Sequence, residues 1–522
     1  MTSPRASSAP GRAYGTWLSR WWRSLASLLA GATLVLAFAP FAFWPAAIVA
    51  PVILLVLIHR QTPGRAFRLG WWFGVGQFGL GVSWVYESFT LFGGIVAPAA
   101  AGVTALFVMV LAFYPAIACW LAARVAGAGG GRRAWSAAFL ASWVLVEALR
   151  AWLFGGFPWL NLGISQVDGP LVGWLPLVGE YGVTALVLAL GLLAWWAVDA
   201  LRVRPREVAG WLVPLAVLML LPIVSLPLKG LDWTRPSDEP IRVGLAQGNV
   251  AQMQKFDPEF FNRTIAIYRG LTDSMPAVDL VIWPETAIPR VIQELPGLRA
   301  ELEEKAEAEG YRMLIGTFSR DAEGRNYNAL IGVPESMGEY RKRHLVPFGE
   351  YFPLRGLIER MPWLFEVPMS DLSPGRGDQA PLRVGEIELG GSICFEADFS
   401  RDIRASLPNA DVLVTVSNDS WFGDSFSPHQ HLQMARARSI EFRRPLVRAT
   451  NTGISAVIDE RGGVVQSLPT GERGVLVETI VPRDGSTPLA RYGAWPVIVV
   501  MTILLLGLYG AGRLRRAGAK RP

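Results

Sequence analysis

Long apolar stretches at both ends of this chain constrain its fold more than any other feature. An α-helix needs about 20 largely apolar residues to cross the roughly 30 Å hydrocarbon layer of a bilayer. Eight segments of the 522-residue sequence approach or meet that length: 25–40, 44–58, 69–89, 95–125, 134–154, 177–198, 209–225 and 492–509. We therefore expect an α+β membrane protein in which an eight-helix transmembrane bundle carries a separate folded domain.

The charges divide between the apolar ends and the middle of the chain. Residues 1–230 and 491–522 together carry a net charge of +15, whereas residues 231–490 carry −9. A nucleic-acid-binding domain would have its basic excess on the folded segment, where it replaces phosphate counterions. Nucleic acid is therefore excluded as a partner. With two cysteines and 51% hydrophobic residues, a disulfide scaffold and a disordered chain are excluded as well.

Arginine and lysine residues occur in alternate connections between the apolar segments. They cluster at 5–23, 60–68, 124–133, 202–206 and 513–521, whereas the connections 41–43, 90–94 and 155–176 have none. By the positive-inside rule, the basic connections are cytoplasmic. The first two segments could also form one broken helix, but the alternation favours eight spans over seven. Both termini are then cytoplasmic, and the middle of the chain is periplasmic.

Three regions follow from this topology. Residues 1–229 are predicted to hold seven transmembrane helices, 230–490 a periplasmic catalytic domain, and 491–522 a last helix with a basic cytoplasmic tail. Within the fifth apolar segment, Glu147 and Arg150 lie one helical turn apart. Intramembrane charges are functional candidates, and the simpler interpretation here is a mutually satisfied ion pair near the membrane edge.

Strand and helix signals alternate through the middle region. Strands are predicted at 241–247, 278–283, 313–318, 328–333, 387–393, 410–417, 446–451 and 454–459, and helices at 258–274, 295–310, 398–407 and 430–443. Asp257 is the predicted N-cap of the first helix, and Pro284 is expected to end the second strand. Such alternation predicts one α/β domain with helices on its sheet faces.

Cys394 is a lone thiol where a predicted strand gives way to a helix beginning near Asp398. The N–H groups of a helix N-terminus lower the pKa of a thiol and can bind a developing oxyanion. A lone cysteine is more often core packing, so a nucleophile here needs a base. His344, His429 and His431 are possible bases by composition. No zinc motif is present, and we expect no metal site.

Carboxylates lie at more informative positions. Glu285 follows a buried strand and therefore leaves the end of a sheet, where the sites of α/β proteins lie. Glu350 closes the loop 345–350, and Lys342 precedes it by eight residues. By itself the basic run around Lys342 is typical of a solvated loop.

Taken together, these residues carry a resemblance to a known family. Trp283-Pro-Glu285, Lys342 with His344-Leu-Val-Pro-Phe-Gly-Glu350, and Ile393-Cys394-Phe-Glu396 resemble the nitrilase superfamily with its Glu-Lys-Cys triad. The segments 418–423, 448–453 and 156–160 narrow the resemblance to bacterial apolipoprotein N-acyltransferases. The similarity runs over nearly the whole chain.

The resemblance implies a nitrilase-like α-β-β-α sandwich with Glu285, Lys342 and Cys394 as the catalytic triad. Glu350 is expected to orient Lys342 or assist proton transfer, and Glu396 to hold the loop of the nucleophile. Phe395 stands where tyrosine is common in the family, which leaves any role of that hydroxyl open. The candidate substrate-binding residues are Phe256, where the family often has tryptophan, Trp421 and Trp363. The apolar segments 348–357 and 361–369 could dip into the bilayer interface.

The activity implied by the resemblance is N-acylation of the S-diacylglyceryl cysteine of apolipoproteins in the bacterial inner membrane. A membrane phospholipid would be the acyl donor, no cofactor would be needed, and we expect a monomer. Two other functions remain open: a membrane-tethered amidohydrolase that passes the acyl group to water, and a lipid-binding membrane protein without catalysis. The second needs no nucleophile at Cys394.

The arginine alternation predicts the position of the C-terminus. A reporter enzyme that is active only in the periplasm, fused after Pro522, should be inactive, because the basic tail at 513–521 stays in the cytoplasm. The same reporter inserted near residue 238 should be active. Activity of the fusion after Pro522 would show that the orientation is wrong.

Overall fold

The computed structural model describes residues 12–91, 95–127, 130–203, 206–237, 239–347, 349–351, 371–407 and 409–518. The helices of the apolar regions are α1 (Arg12–Leu34), α2 (Pro45–Ile58), α3 (Pro63–Gly81), α4 (Val85–Leu91), α5 (Ala97–Leu111), α6 (Phe113–Ala126), α7 (Arg132–Arg150), α8 (Leu175–Val203) and α9 (Val208–Gly230). Those that follow are α10 (Gln252–Lys255), α11 (Phe261–Asp273), α12 (Pro296–Glu309), α13 (Ser400–Arg404), α14 (Ser427–Phe442), α15 (Pro488–Tyr492) and α16 (Trp495–Gly518).

In the described part of the chain, four helical segments are long and apolar enough to cross a membrane. They are Ala97–Ala126, Val172–Val203, Val208–Gly230 and Trp495–Leu514, and the apolar helices Trp21–Ala37 and Pro45–Ile58 are shorter. The expectation of eight transmembrane helices is therefore not confirmed. Helices α3 and α7 exist, but both contain arginines, and these lower their hydropathy.

Glycines let the first and third helices pack at close range. A Cβ atom on Gly31 would lie 1.9 Å from the carbonyl oxygen of Phe73, and one on Gly76 would lie 2.0 Å from that of Leu28. Small residues at helix contacts are typical of membrane bundles, because they allow backbones to approach closely. The first two apolar segments form separate helices rather than one broken helix.

Glu147 and Arg150 anchor the segment that connects α7 to α8. The Glu147 carboxylate accepts hydrogen bonds from the Leu162 backbone N–H at 2.9 Å and the Thr184 hydroxyl at 2.6 Å. The Arg150 guanidinium donates to Asn161 Oδ1 at 2.6 Å, and the two charges are 4.0 Å apart. Both side chains are buried. The interpretation of a satisfied pair therefore holds, and its partners are mainly in the connecting segment.

The middle region contains two six-stranded sheets, with strand orders β13-β2-β3-β4-β5-β6 and β12-β11-β10-β9-β8-β7. The strands are β1 (Thr234–Pro236), β2 (Ile241–Gln247), β3 (Leu280–Val291), β4 (Arg312–Arg320), β5 (Asn326–Val333), β6 (Glu339–Arg341), β7 (Leu382–Val384), β8 (Ile387–Ile393), β9 (Val412–Ser417), β10 (Leu446–Thr450), β11 (Ser455–Ile458), β12 (Val464–Leu468), β13 (Gly474–Ile480) and β14 (Arg483–Gly485). Strands β1 and β14 pair with each other at the two ends of the domain.

The two sheets pack face to face through buried aliphatic side chains. Leu245, Leu280 and Leu314 of one sheet share a core with Val414 and Val447 of the other. Helices α11 and α12 cover the outer face of the first sheet, and α13, α14 and α15 cover that of the second. The predicted α-β-β-α sandwich is therefore confirmed as the architecture of this region.

Two local predictions are wrong. The helix predicted at 258–274 begins only at Phe261, because Asp257 forms a tight turn in which its Oδ1 accepts the Glu259 N–H at 2.9 Å. Strand β3 continues past Pro284 to Val291. Its pairing with β4 is interrupted between Trp283 and Ile288, so the missing N–H of proline costs no regular ladder bond.

Helix α14 is buried on two opposite sides. Ala435 and Phe442 pack against the second sheet. Met434, Ala437 and Ile440 pack into the core of the apolar helix bundle. This helix therefore joins the sandwich to the bundle and fixes their relative position.

A buried ionic contact strengthens that junction. Arg438 of α14 lies 3.1 Å from the carboxylate of Glu180 on α8 and 3.4 Å from that of Glu441. The Glu180 backbone N–H also donates to Glu441 Oε1 at 3.1 Å. Burial raises the pKa of Glu441 to about 7, against the opposing effect of Arg438. Arg438 is therefore the cation that offsets the Glu180 and Glu441 carboxylates at this junction.

Replacing Arg438 with methionine should destabilise the protein strongly, since it leaves two buried carboxylates without their cation. Removing one partner of a buried ion pair costs about 3–5 kcal/mol. The measurement is the thermal midpoint of purified protein in detergent, followed by tryptophan fluorescence.

Arg436→Met is the matched control on the same helix, because Arg436 pairs with Asp168 in a partly exposed contact. Exposed pairs contribute about 0–1 kcal/mol. Equal shifts of the thermal midpoint in the two variants would contradict the importance of the buried contact.

Candidate active site

The residues of the predicted triad come from three strands of the two sheets, and Glu285 lies within its strand rather than after it, as the sequence had led us to expect. Glu285 lies within β3, and Lys342 directly follows β6 in the same sheet. Cys394 directly follows β8 of the other sheet. The Glu285 and Lys342 side chains are buried, whereas Cys394 is partly exposed. The site therefore lies where the ends of the two sheets meet.

Lys342 lies between two carboxylates. Its Nζ is 2.9 Å from Glu350 Oε2 and 3.6 Å from Glu285 Oε1. Asn328 of β5 donates from its Nδ2 to both carboxylates, at 2.8 Å to Glu285 Oε1 and 2.8 Å to Glu350 Oε1. These contacts hold the side chains of Lys342, Glu285 and Glu350 in fixed positions relative to one another.

The pKa values of Lys342 and Cys394 are both raised, which favours a charged lysine and a neutral thiol. Burial alone would lower the pKa of Lys342, but the carboxylates of Glu350 and Glu285 outweigh it and raise that pKa well above its usual value. Burial and the Glu285 carboxylate raise the pKa of the Cys394 thiol well above its usual value, and Lys342 only partly opposes this. In the resting site the lysine is charged and the thiol keeps its proton.

The expectation that a helix N-terminus lowers the pKa of Cys394 is therefore wrong. Cys394 opens a five-residue 3₁₀ turn that ends at Asp398, and the helix that follows has only five residues. Such short elements have a small dipole, and burial dominates. Activation of the thiol requires a base, and Glu285 is the carboxylate with the strongest electrostatic effect on it.

The backbone at Cys394 is strained. Its φ is +54°, in the left-handed region that residues with a side chain rarely adopt. Strain of this kind costs on the order of 1–3 kcal/mol and persists only where surrounding contacts enforce it. It turns the chain sharply at the end of β8.

Glu396 ties this turn to the loop that carries Lys342. Its Oε1 accepts hydrogen bonds from the Tyr340 hydroxyl at 2.9 Å and from the backbone N–H groups of Arg343 and His344 at 2.7 and 3.1 Å. Its Oε2 accepts from the Ile393 N–H at 2.8 Å. One buried carboxylate thus spans the two segments on either side of the site.

The candidate substrate-binding residues have different surroundings. Phe256 packs in a small apolar cluster with Phe318, with ring centroids 6.4 Å apart. Trp421 packs against the core of the apolar helices, and its carbonyl accepts the Ser88 hydroxyl at 2.7 Å. Phe395 contacts Phe399 edge-to-face at 4.9 Å. Trp363 and most of the segments 348–357 and 361–369 lie outside the described residues.

The histidines that were possible bases bond elsewhere. His344 lies 2.7 Å from Asp402 Oδ2 and 2.5 Å from the Gly155 carbonyl. His431 Nε2 is 3.3 Å from the Cys394 carbonyl oxygen rather than bonded to its thiol. His429 is exposed. In the described ranges no three His, Cys, Asp or Glu side chains are grouped so that they could hold a metal ion.

Sequence reasoning missed two polar residues of the site, Asn328 and Lys255. Asn328 lies in β5 directly before the apolar run 329–333, and an asparagine next to such a run is the signal that could have found it. Lys255 is buried, and its Nζ donates to the Glu285 carbonyl oxygen at 3.3 Å. Burial lowers the pKa of Lys255 to about 7, although the Glu285 carboxylate opposes this.

Comparison with protein families matches both halves of the chain. Residues 30–193 match the apolipoprotein N-acyltransferase N-terminal domain, and residues 242–486 match carbon–nitrogen hydrolases. A protein named apolipoprotein N-acyltransferase from Methylococcus capsulatus is 41% identical over 502 residues, which cover 95% of this chain and 97% of that protein. One of the same name from Pseudomonas syringae is 38% identical over 94% of this chain and 97% of its own.

The chain belongs to the apolipoprotein N-acyltransferase family. The resemblance inferred from the motifs is thus confirmed, and with it the nitrilase-like α/β fold of the middle region. Among solved structures, a carbon–nitrogen hydrolase from Helicobacter pylori is similar with a TM-score of 0.36 and 15% identity over 46% of this chain and 89% of that chain. An amidase from Nesterenkonia sp. gives 0.34 and 18% over 46% and 90%.

The lowered pKa of Lys255 predicts a pH-dependent stability for this member of the apolipoprotein N-acyltransferase family. Between pH 7 and the pKa of an ordinary lysine, the unfolded chain binds more protons at this position than the folded chain. The contribution of Lys255 to stability therefore rises with pH in that window. In Lys255→Met it is absent.

From pH 7 to pH 9, the thermal midpoint of Lys255→Met should fall relative to the unsubstituted protein. One proton over two pH units amounts to about 2.7 kcal/mol at most, or several degrees. Lys305→Met, a substitution at a partly exposed lysine, is the control. A difference in midpoint that stays constant across this range would contradict the prediction.

Proposed function

We propose that this protein transfers an acyl group from a membrane phospholipid to the α-amine of the S-diacylglyceryl cysteine of an apolipoprotein. The main support is the position of Lys342 between the Glu285 and Glu350 carboxylates. Glu285 and Lys342 also lie close enough to the Cys394 thiol to shift its pKa. Family membership and the apolar helices support it. A donor that is itself a lipid requires a site next to the bilayer.

We further propose the topology that the sequence indicates. The chain would have eight spans in the inner membrane, with seven in 1–229, a periplasmic catalytic domain in 230–490, and the last in 491–522. Both termini would be cytoplasmic, and the enzyme would act as a monomer. Support comes from the alternation of basic connections. The domain would then be tethered to the membrane at both of its ends.

Acylation would begin with proton transfer from the Cys394 thiol to the Glu285 carboxylate. The thiolate attacks the ester carbonyl of the phospholipid, and the ester oxygen becomes an oxyanion. The Lys342 ammonium and the Phe395 backbone N–H stabilise this charge, and an oxyanion donor typically contributes about a hundredfold to a thousandfold in rate. The C–O bond then breaks, and the lysophospholipid alkoxide takes the proton from Glu285. A thioester remains on Cys394.

The second half-reaction would use the same groups. The α-amine of the apolipoprotein attacks the thioester, and Glu285 takes a proton from the attacking nitrogen. The carbon–sulfur bond breaks as the amide forms, and the Cys394 thiolate regains its proton from Glu285. Because two substrates use one site in turn, ping-pong kinetics are expected. No cofactor enters this scheme.

The remaining polar residues would serve as positioning groups. Glu350 and Asn328 would hold Lys342 and Glu285 at their distances, since both carboxylates share the Asn328 amide. Glu396 would hold the nucleophile turn against the Lys342 loop. Phe256 and Trp421 are proposed to contact the acyl chains, because both present aromatic surface in apolar surroundings.

The decisive experiment looks for the thioester. Purified protein in detergent is incubated with a phospholipid labelled in its acyl chains, and Cys394 is examined by mass spectrometry. The unsubstituted protein should carry an acyl group that hydroxylamine removes. Cys394→Ala should carry none, and Cys394→Ser at best a slow ester, because a hydroxyl is a far weaker nucleophile than a thiolate. Lys342→Ala should fail at acylation, since the first oxyanion already needs the lysine.

Each alternative function gives a different result. Accumulation of a stable acyl-enzyme in Lys342→Ala would mean that the lysine serves only the second step. If the enzyme releases free fatty acid at the same rate with and without a diacylglyceryl-cysteine peptide, it is an amidohydrolase-type enzyme with water as acceptor. A Cys394→Ala protein that keeps all function would indicate a lipid-binding protein without catalysis.

A further inference from the structure

The peptide group between Cys394 and Phe395 links two functions of the nucleophile turn. A peptide group is planar, and in its trans form the C=O and N–H point in opposite directions. The Phe395 N–H is the proposed oxyanion donor, and the Cys394 carbonyl is the other end of the same plane. Any contact that fixes this carbonyl therefore also fixes the direction of the donor.

His431 makes such a contact. Its Nε2 lies 3.3 Å from the Cys394 carbonyl oxygen, and the side chain is buried on α14. The same nitrogen is 3.5 Å from Asp398 Oδ1. Because both neighbours of Nε2 are oxygen acceptors, this nitrogen carries a proton and donates it.

The opposite edge of the imidazole ring, which carries Nδ1, is held as well. Nδ1 lies 3.0 Å from the Arg448 guanidinium and 3.2 Å from Asp419 Oδ1, and Arg448 also bonds Asp419 at 2.8 Å. Phe422 packs edge-to-face against the ring with centroids 5.8 Å apart. The imidazole is therefore held in place on both sides.

Because the backbone at Cys394 is strained, contacts around the turn are needed to keep it in this conformation. With φ at +54°, Cys394 itself has an unfavourable backbone conformation, and the peptide group that follows it belongs to this strained turn. Relaxation of the turn would rotate the Phe395 N–H away from the site of charge development. An oxyanion donor is effective only when its direction is set before the reaction.

We propose that His431 is a positioning residue for the oxyanion site, acting through the Cys394 carbonyl to aim the Phe395 N–H. The inference rests on the proposed function, because it requires an oxyanion to form at Cys394. His431 touches neither the thiol nor the substrate carbonyl in this role. Its removal lowers the rate of acylation but leaves the nucleophile in place.

The test compares two reactions of the same thiol in His431→Leu. Acylation by labelled phospholipid passes through an oxyanion. Alkylation by iodoacetamide does not, because the sulfur displaces iodide directly from carbon. We expect the acylation rate to fall by about tenfold to a hundredfold, less than or similar to the loss of a donor. The alkylation rate of Cys394 should change by less than about twofold.

Four further variants complete the design. His431→Gln keeps an N–H near the position of Nε2 and should restore most of the acylation rate, whereas His431→Asn has a polar group too short to reach the carbonyl and should remain slow. The Gln and Asn pair decides the question if His431→Leu does not fold. His429→Leu changes an exposed histidine on the same helix and should behave as the unsubstituted protein. Cys394→Ala gives the alkylation background of Cys119.

Two results would overturn the inference. If alkylation falls in parallel with acylation, His431 holds the thiol itself rather than the oxyanion donor. If His431→Asn acylates as fast as His431→Gln, the hydrogen bond has no role. Absence of a thioester in the unsubstituted protein is a separate outcome, which would overturn the proposed function and this inference together.

Discussion

A buried ammonium group is stable only beside fixed negative charge, and the site is built around this requirement at Lys342. Two carboxylates supply the charge, and Asn328 holds both of them. Glu285 and Asn328 lie on strands of one sheet and Lys342 and Glu350 on the loop that follows it, while Cys394 follows a strand of the other sheet. The packing of the two sheets therefore sets the distance between the Cys394 thiol and the Glu285 carboxylate. Burial and the Glu285 carboxylate raise the pKa of the Cys394 thiol, and the Lys342 ammonium only partly opposes this.

Much of this could be predicted from the sequence, because the signals are local. The strand end before Cys394 is such a signal, whereas the proposed triad and the sandwich followed from the resemblance of the ordered motifs to a known family. Glu285, expected after a buried strand, lies within β3. Asn328 and Lys255 could not be predicted, since their contacts depend on which strands become neighbours. The raised pKa of Cys394 could not be predicted for a similar reason. Burial depends on tertiary structure, and its effect on the pKa outweighs that of a short helical turn. The prediction that Pro284 ends the strand is wrong because the sequence does not reveal where the pairing of β3 with β4 is interrupted.

The loops around the site are also bonded to the apolar helices. His344, two residues after Lys342, lies 2.5 Å from the Gly155 carbonyl in the connection between α7 and α8. Ser88 of α4 donates to the Trp421 carbonyl at 2.7 Å. Glu147 and Arg150 in turn anchor that connection. A chain of polar contacts thus leads from buried charges among the helices to the loops that carry Lys342 and Trp421.

The two buried sides of helix α14 have a consequence for the modularity of the protein. An excised sandwich would expose Met434, Ala437 and Ile440 together with Arg438, whose partner Glu180 would be gone. Such a surface favours aggregation. The sandwich is therefore not a self-contained domain to which the apolar helices are merely attached at its ends. The apolar helices complete its core, and recombination with the helices of another protein would require a new surface on α14.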